Sequence, residues 1–186
     1  MKLRILLLAD PFIRVPPAHY GGIERIVAGL AHGLIERGHD VTLWSAPQSR
    51  VPCAVEPFGR EGEWTPWSNL RNIALLTARF WGKPRRFDIV HNFGRLAYLS
   101  AILRWNLPKV QTYMRTVNPR NMRLATRMGA RRLHYTAVSA AMRDTGLPGG
   151  GDWSVIHNCA PAREYQPGPG HLALTQGFRP GRVAHG

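Results

Sequence analysis

The sequence predicts an α/β domain: one parallel sheet with helices on both faces. Three observations lead there. Short apolar runs alternate with stretches of helical period across most of the chain. The first run is followed by a loop, a glycine-led helix and a second run, which together form a βαβ unit with a right-handed crossover. The chain has 186 residues, of which 44% are apolar, enough for one domain with a sizeable core.

Leu3 to Ala9 reads as a strand buried on both faces, since its residues from Ile5 onward are apolar without alternation. Asp10-Pro11 ends it, and Pro16-Pro17 holds the following loop open. Ile23, Ile26, Val27, Leu30, Ala31, Leu34 and Ile35 then form one helical stripe, and Gly38 supplies the left-handed stop. Gly22, Gly29 and Gly33 fall along one edge of that stripe, where glycines would let the helix lie close to a sheet. His39 to Trp44 is the second strand, and a short one is expected over Cys53 to Glu56. A helix is predicted over Trp67 to Trp81, a strand over Phe87 to Asn92 and a helix over Leu96 to Trp105. Lys109 to Tyr113 is a strand, and Asn118-Pro119 opens a helix running to about Met128. Leu133 to Val138 is a strand, Ser139 caps a short helix ending near Gly146, and Trp153 to His157 is the last strand. Beyond Pro161 no periodicity remains and no acidic residue follows Glu164, so the tail is expected to be disordered.

Lysine and arginine number 25 against 11 acidic residues, a net charge of +14 that favours anionic partners. The arginines are scattered, without the clustered arginines and interleaved aromatics of a nucleic-acid binder, so no nucleic-acid partner is expected. Cys53 and Cys159 have no metal-like spacing and read as free thiols of a cytoplasmic protein. No apolar segment is long enough for a signal peptide or a membrane span, which leaves a soluble protein or one peripheral at the inner membrane face.

Ligands of a parallel sheet bind at the carboxyl ends of its strands. Gly21-Gly22 stands there at a helix start, with free amides and the positive end of the helix dipole. The pair serves either a tight turn or the close approach of a phosphate. His91, at a strand end, is either a hydrogen-bonded structural residue or a base. Arg95 and Arg115 sit in strand-end loops, either solvated or presenting a planar fork to phosphate or carboxylate. His19-Tyr20 precedes the glycines, with the tyrosine either stacking on a base or sugar or packing the loop. No Gly-x-Ser-x-Gly elbow, zinc-like His/Cys cluster or outstanding pair of carboxylates occurs. Such a chain suits transfer chemistry done by positioning and electrostatics.

Several segments, in order, resemble the opening half of the family 4 retaining glycosyltransferases of GT-B fold. Pro16 to Arg25 and Leu34 to Val41 look like that family's opening. Phe87 to Gly94 is similar to its Asp-Ile-Val-His-x-His segment, and Thr136 to Ser139 to its Val-Ser strand end. Val155-Ile156-His157-Asn158-Cys159 is similar to its Val-Ile-Pro-Asn-Gly segment, which precedes the linker to the second domain. The resemblance implies a Rossmann-like domain over residues 1–160 that mostly holds the acceptor, followed by a tail over residues 161–186 in place of the second domain. A truncation or an altered reading frame would account for that, and the chain alone is then expected to be inactive.

On this resemblance Gly21, Gly22 and Arg115 face the diphosphate of a nucleotide-sugar donor. His19, Tyr20, His91, Arg95 and Ser139 face the acceptor, a sugar or a lipid-linked hydroxyl. No catalytic residue is assigned, and neither cofactor nor metal is expected. The family's Thr-x-His-Gly histidine is replaced by Met114, with Arg115 as the neighbouring cation. The alternative is a non-catalytic module that binds nucleotide or acceptor, docking on anionic membrane surfaces through its charge.

Overall fold

The protein is seen in a computed structural model that describes residues 1–19, 21–60, 62, 64–81, 85–129 and 132–159. Seven strands form one sheet: β1 (Arg4–Leu8), β2 (Asp40–Ser45), β3 (Ala54–Pro57), β4 (Ile89–Asn92), β5 (Lys109–Tyr113), β6 (Leu133–Ala137) and β7 (Asp152–Val155). Their order is β3-β2-β1-β4-β5-β6-β7, and every pairing is parallel. The connecting helices are α1 (Gly22–Glu36), α2 (Pro66–Phe80), α3 (Pro119–Gly129) and α4 (Ala140–Gly146). This is the predicted class, a Rossmann-like sheet with helices on both faces.

β1 lies inside the sheet, paired with β2 on one edge and β4 on the other. Leu6, Leu7 and Leu8 are fully buried, as a strand covered on both faces requires. On one face Ile5, Leu7, Val41 and Leu43 pack beneath Val27, Ala28 and Ala31 of α1. On the other, Leu6, Leu8, Trp44 and Tyr135 meet Leu76 and Phe80 of α2 and Met122 of α3. Trp44 anchors this second core, its ring centroid 4.8 Å from that of Phe80. Thr65 starts α2 with a reciprocal cap, its hydroxyl accepting from the Ser68 amide (3.0 Å) and its amide donating to the Ser68 hydroxyl (2.9 Å). Gly38 has the expected left-handed backbone, φ 80°.

Two expectations are corrected. Leu96–Ile102 is a 3₁₀ segment, not an α-helix reaching Trp105. Its buried Leu99 and Ile102 lie three residues apart, and three residues per turn point both at the sheet. The glycine edge of α1 does not lie against the sheet either. Gly22 and Gly29 are exposed, and a Cβ on either would meet nothing within 4 Å. The close approach to the sheet is made by Ala28 and Ala31 on the neighbouring stripe. The tail expected to be disordered lies outside the described residues. Cys53 and Cys159 are free thiols. Among the described residues no helix is long and apolar enough to cross a membrane.

Since Gly29 serves no close contact, Gly29→Ala should stabilise the protein by about 0.5–1 kcal/mol through helix propensity. Leu6→Ala should destabilise it by about 2–5 kcal/mol through the cavity left behind. Urea unfolding with unchanged slope checks both. A destabilised Gly29→Ala would return that edge to the sheet.

Candidate functional site

The strand order reverses at β1, whose two neighbours β2 and β4 are reached by connections on opposite faces. The loops after β1 and β4 therefore part at their carboxyl ends and leave a crevice. The start of α1 forms one wall. Gly21 is its N-cap, with φ 156° and ψ 78°. A Cβ on Gly21 would come within 2.6 Å of Pro17 Cβ and 2.8 Å of Glu24 Oε2, so packing against the proline loop demands glycine there. Gly22 differs. It has no unusual φ and no neighbour within 4 Å of its missing Cβ, and it is exposed. Nothing in the described chain explains a glycine at Gly22.

Glu24 lies in the first turn of α1 and is only 5% exposed. Burial raises its carboxyl pKa; a bond from its own backbone N–H opposes that, Asp10 raises it further and Arg115 lowers it. Asp10, two residues beyond β1, is likewise raised by burial, against the pull of Arg95, Tyr98 and Arg115. The sequence showed no pair of carboxylates, yet the fold brings these two near enough to feel each other's charge. The cause is the crevice itself, which joins the end of β1 to the start of α1. Behind Asp10, Nε of Arg95 is buried without a hydrogen-bond partner among the described residues.

The second wall is built by β4 and β5. Fully buried Asn92 donates to Gln111 Oε1 (2.6 Å) and to the Arg95 carbonyl (3.0 Å), while its Oδ1 accepts from the Gly94 amide (3.1 Å). Gln111 Nε2 donates to the Gly94 carbonyl (3.1 Å). This amide network fixes the Phe93 to Arg95 turn. On the other face His91 Nε2 bonds Thr112 Oγ1 (2.7 Å), which bonds Thr136 Oγ1 (2.6 Å), and the imidazole stacks on Phe93 with centroids 4.2 Å apart. Burial lowers the His91 pKa to about 4, so it is neutral at pH 7. His91 is thus a hydrogen-bonded residue within the sheet.

The remaining predicted residues divide. Arg115 is exposed and forms no ion pair among the described residues, and its charge acts on both Asp10 and Glu24 at the crevice. Arg95 lies under the indole of Trp64, 4.7 Å from its centroid. Exposed His19 accepts at its carbonyl from Arg25 (2.8 Å). Tyr20 lies outside the described residues. Ser139 caps α4, its hydroxyl accepting from the Met142 amide at 3.2 Å. Met114 packs against the α1-side core. Among the described residues no group of three or more His, Cys, Asp or Glu could hold a metal ion.

Sequence reasoning passed over Asp10, Glu24 and Trp64. Asp10 carried a signal, since it ends a strand buried on both faces where the ligand crevice opens. Glu24 carried none, since it interrupts the apolar spacing of α1 and only the fold buries it. A separate cavity of about 670 Å³, lined by Arg4, Arg85, Phe87 and Trp105, lies at the opposite, amino end of the strands. The Arg4–Asp88 ion pair (2.7 Å) sits in its wall, which makes it a structural seam.

A parallel sheet whose order reverses at β1, with a helix start and two arginines beside the reversal, defines a Rossmann-like α/β domain. The Glycosyltransferase Family 4 model matches residues 20–162, and the chain belongs to that family. A glycosyltransferase from Rickettsia africae ESF-5 is similar in structure, with TM-score 0.64 and 18% identity over 94% of this chain and 48% of that one. AviGT4, a glycosyltransferase involved in avilamycin A biosynthesis, has TM-score 0.55 and 27% identity over 88% of this chain and 44% of its own. The chain thus spans about half the length of each. Among curated proteins no sequence matches.

The lowered His91 pKa sets a pH dependence. The unfolded imidazole, near pKa 6.5, takes up a proton before the folded one does. His91 therefore contributes its full stability above about pH 6.5, and that contribution is lost as pH falls toward 4. An NMR titration should place its midpoint near pH 4, whereas a midpoint near 6.5 would put the ring in water.

Proposed function

We propose that this domain binds the acceptor and the donor diphosphate of a family 4 glycosyltransferase. The reaction is transfer of a sugar from a nucleotide sugar to an acceptor hydroxyl with retention at the anomeric carbon. Gly22 carries this reading. It opens a fifteen-residue helix at the switch point, it is exposed, and neither its backbone angles nor its neighbours require glycine. A phosphate oxygen that must reach the helix-start amides does require the absence of a Cβ. Gly22 is the exposed first residue of α1, and its amide has no intrahelical acceptor, which leaves it to the ligand. Arg115 supplies the cation beside it, where the two carboxylates would otherwise repel a diphosphate.

The structural relatives carry as much chain again as these 186 residues. The groups that stabilise the departing phosphate would come in part from that second half, across a cleft closed to water. Binding without turnover is the behaviour we assign to residues 1–186 alone. His19 and Arg95 then line the acceptor side, with His91 and Ser139 supporting the loops.

Gly22→Val should weaken binding of a nucleotide sugar at least about tenfold with melting temperature little changed, since the side chain would block the amides. Isothermal titration with UDP- and GDP-sugars checks it. Unchanged affinity would reduce the glycine pair to a turn.

A further inference from the structure

We propose that the outer face of α2, with the arginines of α3 in the same helical layer, docks the protein on an anionic lipid bilayer. α2 is apolar on two sides. Its inner side buries Leu76 and Phe80. Its outer side exposes Trp67 (80%), Leu70 (57%), Leu75 (42%) and, at its end, Trp81 (79%). Trp67, Leu70, Ala74, Ala78 and Trp81 fall on one stripe at 100° per residue, and Ala74 and Ala78 are exposed as well. The two indoles stand about 21 Å apart along the helix. A soluble surface rarely sets exposed tryptophans at both ends of one apolar stripe. Indole rings favour the headgroup level of a bilayer, where one edge is apolar and the other wet.

Charge selects an anionic lipid surface over other occupants. From Trp64 to Arg143 the only carboxylate is Asp88, and it is paired with Arg4. Arg71 of α2 and Arg120 and Arg127 of α3 are exposed without ion pairs among the described residues, and Leu124 between the latter two is 64% exposed. α2 and α3 pack on the same face of the sheet, with the 3₁₀ segment between them. Apolar anchors on one helix and unpaired cations on the next match interfacial insertion with headgroup attraction. Arginine and indole also anchor protein interfaces, so the requirement for anionic lipid is what separates a bilayer from a protein occupant. The stripe also starts beside the crevice, because Trp64, three residues before Trp67, covers Arg95. If the transferase reading holds, the crevice rim faces the bilayer, where a lipid-linked acceptor hydroxyl would lie.

The test is co-sedimentation of the 186-residue chain with phosphatidylglycerol/phosphatidylcholine vesicles against phosphatidylcholine alone, without any sugar donor. Vesicle binding can thus succeed or fail separately from donor binding. Binding should require the anionic lipid and weaken steeply from 0.05 to 0.5 M salt. The triple variant Arg71→Gln, Arg120→Gln, Arg127→Gln should lose roughly fivefold per charge. Trp67→Ser with Trp81→Ser should lose at least about tenfold, with unchanged circular dichroism because both side chains are exposed. Brominated phosphatidylglycerol should quench tryptophan emission of the unaltered chain, a readout that needs no variant. Equal binding to both vesicle types, full binding by both variants, or no quenching would overturn the proposal. So would concentration-dependent self-association abolished by the tryptophan changes without vesicle binding, which would place a second copy on this face.

Discussion

The pairing of β1 with β2 on one side and β4 on the other is the constraint on which this structure depends. Arg4 to Leu8 runs in register with Asp40 to Trp44, and Ile5 to Leu8 with Ile89 to Asn92. A parallel strand paired on both edges is buried on both faces, so its leucines need a core above and below. Right-handed crossovers then send α1 to one face and α2, the 3₁₀ segment and α3 to the other. The start of α1 and the turn after β4 end up at the same end of the sheet, on either side of one crevice. Asp10, the Gly22 to Glu24 turn of α1 and Arg95 come from three separate segments and share that crevice because of this strand order.

Electrostatics adds a second asymmetry. The chain carries a large cation excess, yet two of its few carboxylates, Asp10 and Glu24, are turned into the crevice. Burial disfavours their charged forms, and Arg95 and Arg115 restore them in part. A diphosphate arriving there would meet arginine and helix-start amides together with two carboxylates. Arg115 lowers both acids as a lesser cause, behind Arg95 at Asp10, and is paired with neither. Four other carboxylates are engaged elsewhere: Glu56 with Arg86 and the Trp44 indole, Asp88 with Arg4, Asp144 with Arg143 and Asp152 with His134. The helical layer of α2 and α3 is left almost purely cationic.

Much of the fold was legible because its signals are local. The apolar run of β1, the stripe of α1, Gly38, Asn118-Pro119 and Ser139 each act within a few residues, and each stands where the sequence put it. Strand β5 agrees to the residue, since Lys109 to Tyr113 is flanked by Pro108 and a polar loop. The 3₁₀ segment escaped because its spacing of three is compatible with either helix, and only the short span from β4 to β5 decides between them. The glycine edge misled because a helical wheel does not say which of two adjacent stripes meets the sheet. The apolar outer face of α2 was hidden for a related reason, since Trp67, Leu70 and Trp81 look like core until Leu76 and Phe80 take the inner side. Strand-end position singled out His91, Arg95 and Arg115, of which His91 is a hydrogen-bonded residue of the sheet, Arg95 lies against Trp64 and Arg115 is exposed. The burial of Glu24 and the gathering of Asp10, Asn72 and Tyr98 arise only from tertiary packing.

The central claim is that the crevice at the β1–β4 switch receives a diphosphate at the Gly22 amide with Arg115 beside it. Amide and guanidinium NMR spectra of the ¹⁵N-labelled chain, titrated with a nucleoside diphosphate, test it most directly. The account predicts saturable shifts at the Gly22 and Ile23 amides and at Arg115 Nε, with the cavity lined by Arg4 and Arg85 unaffected. Shifts confined to that opposite cavity, or to the arginines of α3 with Gly22 silent, would contradict it.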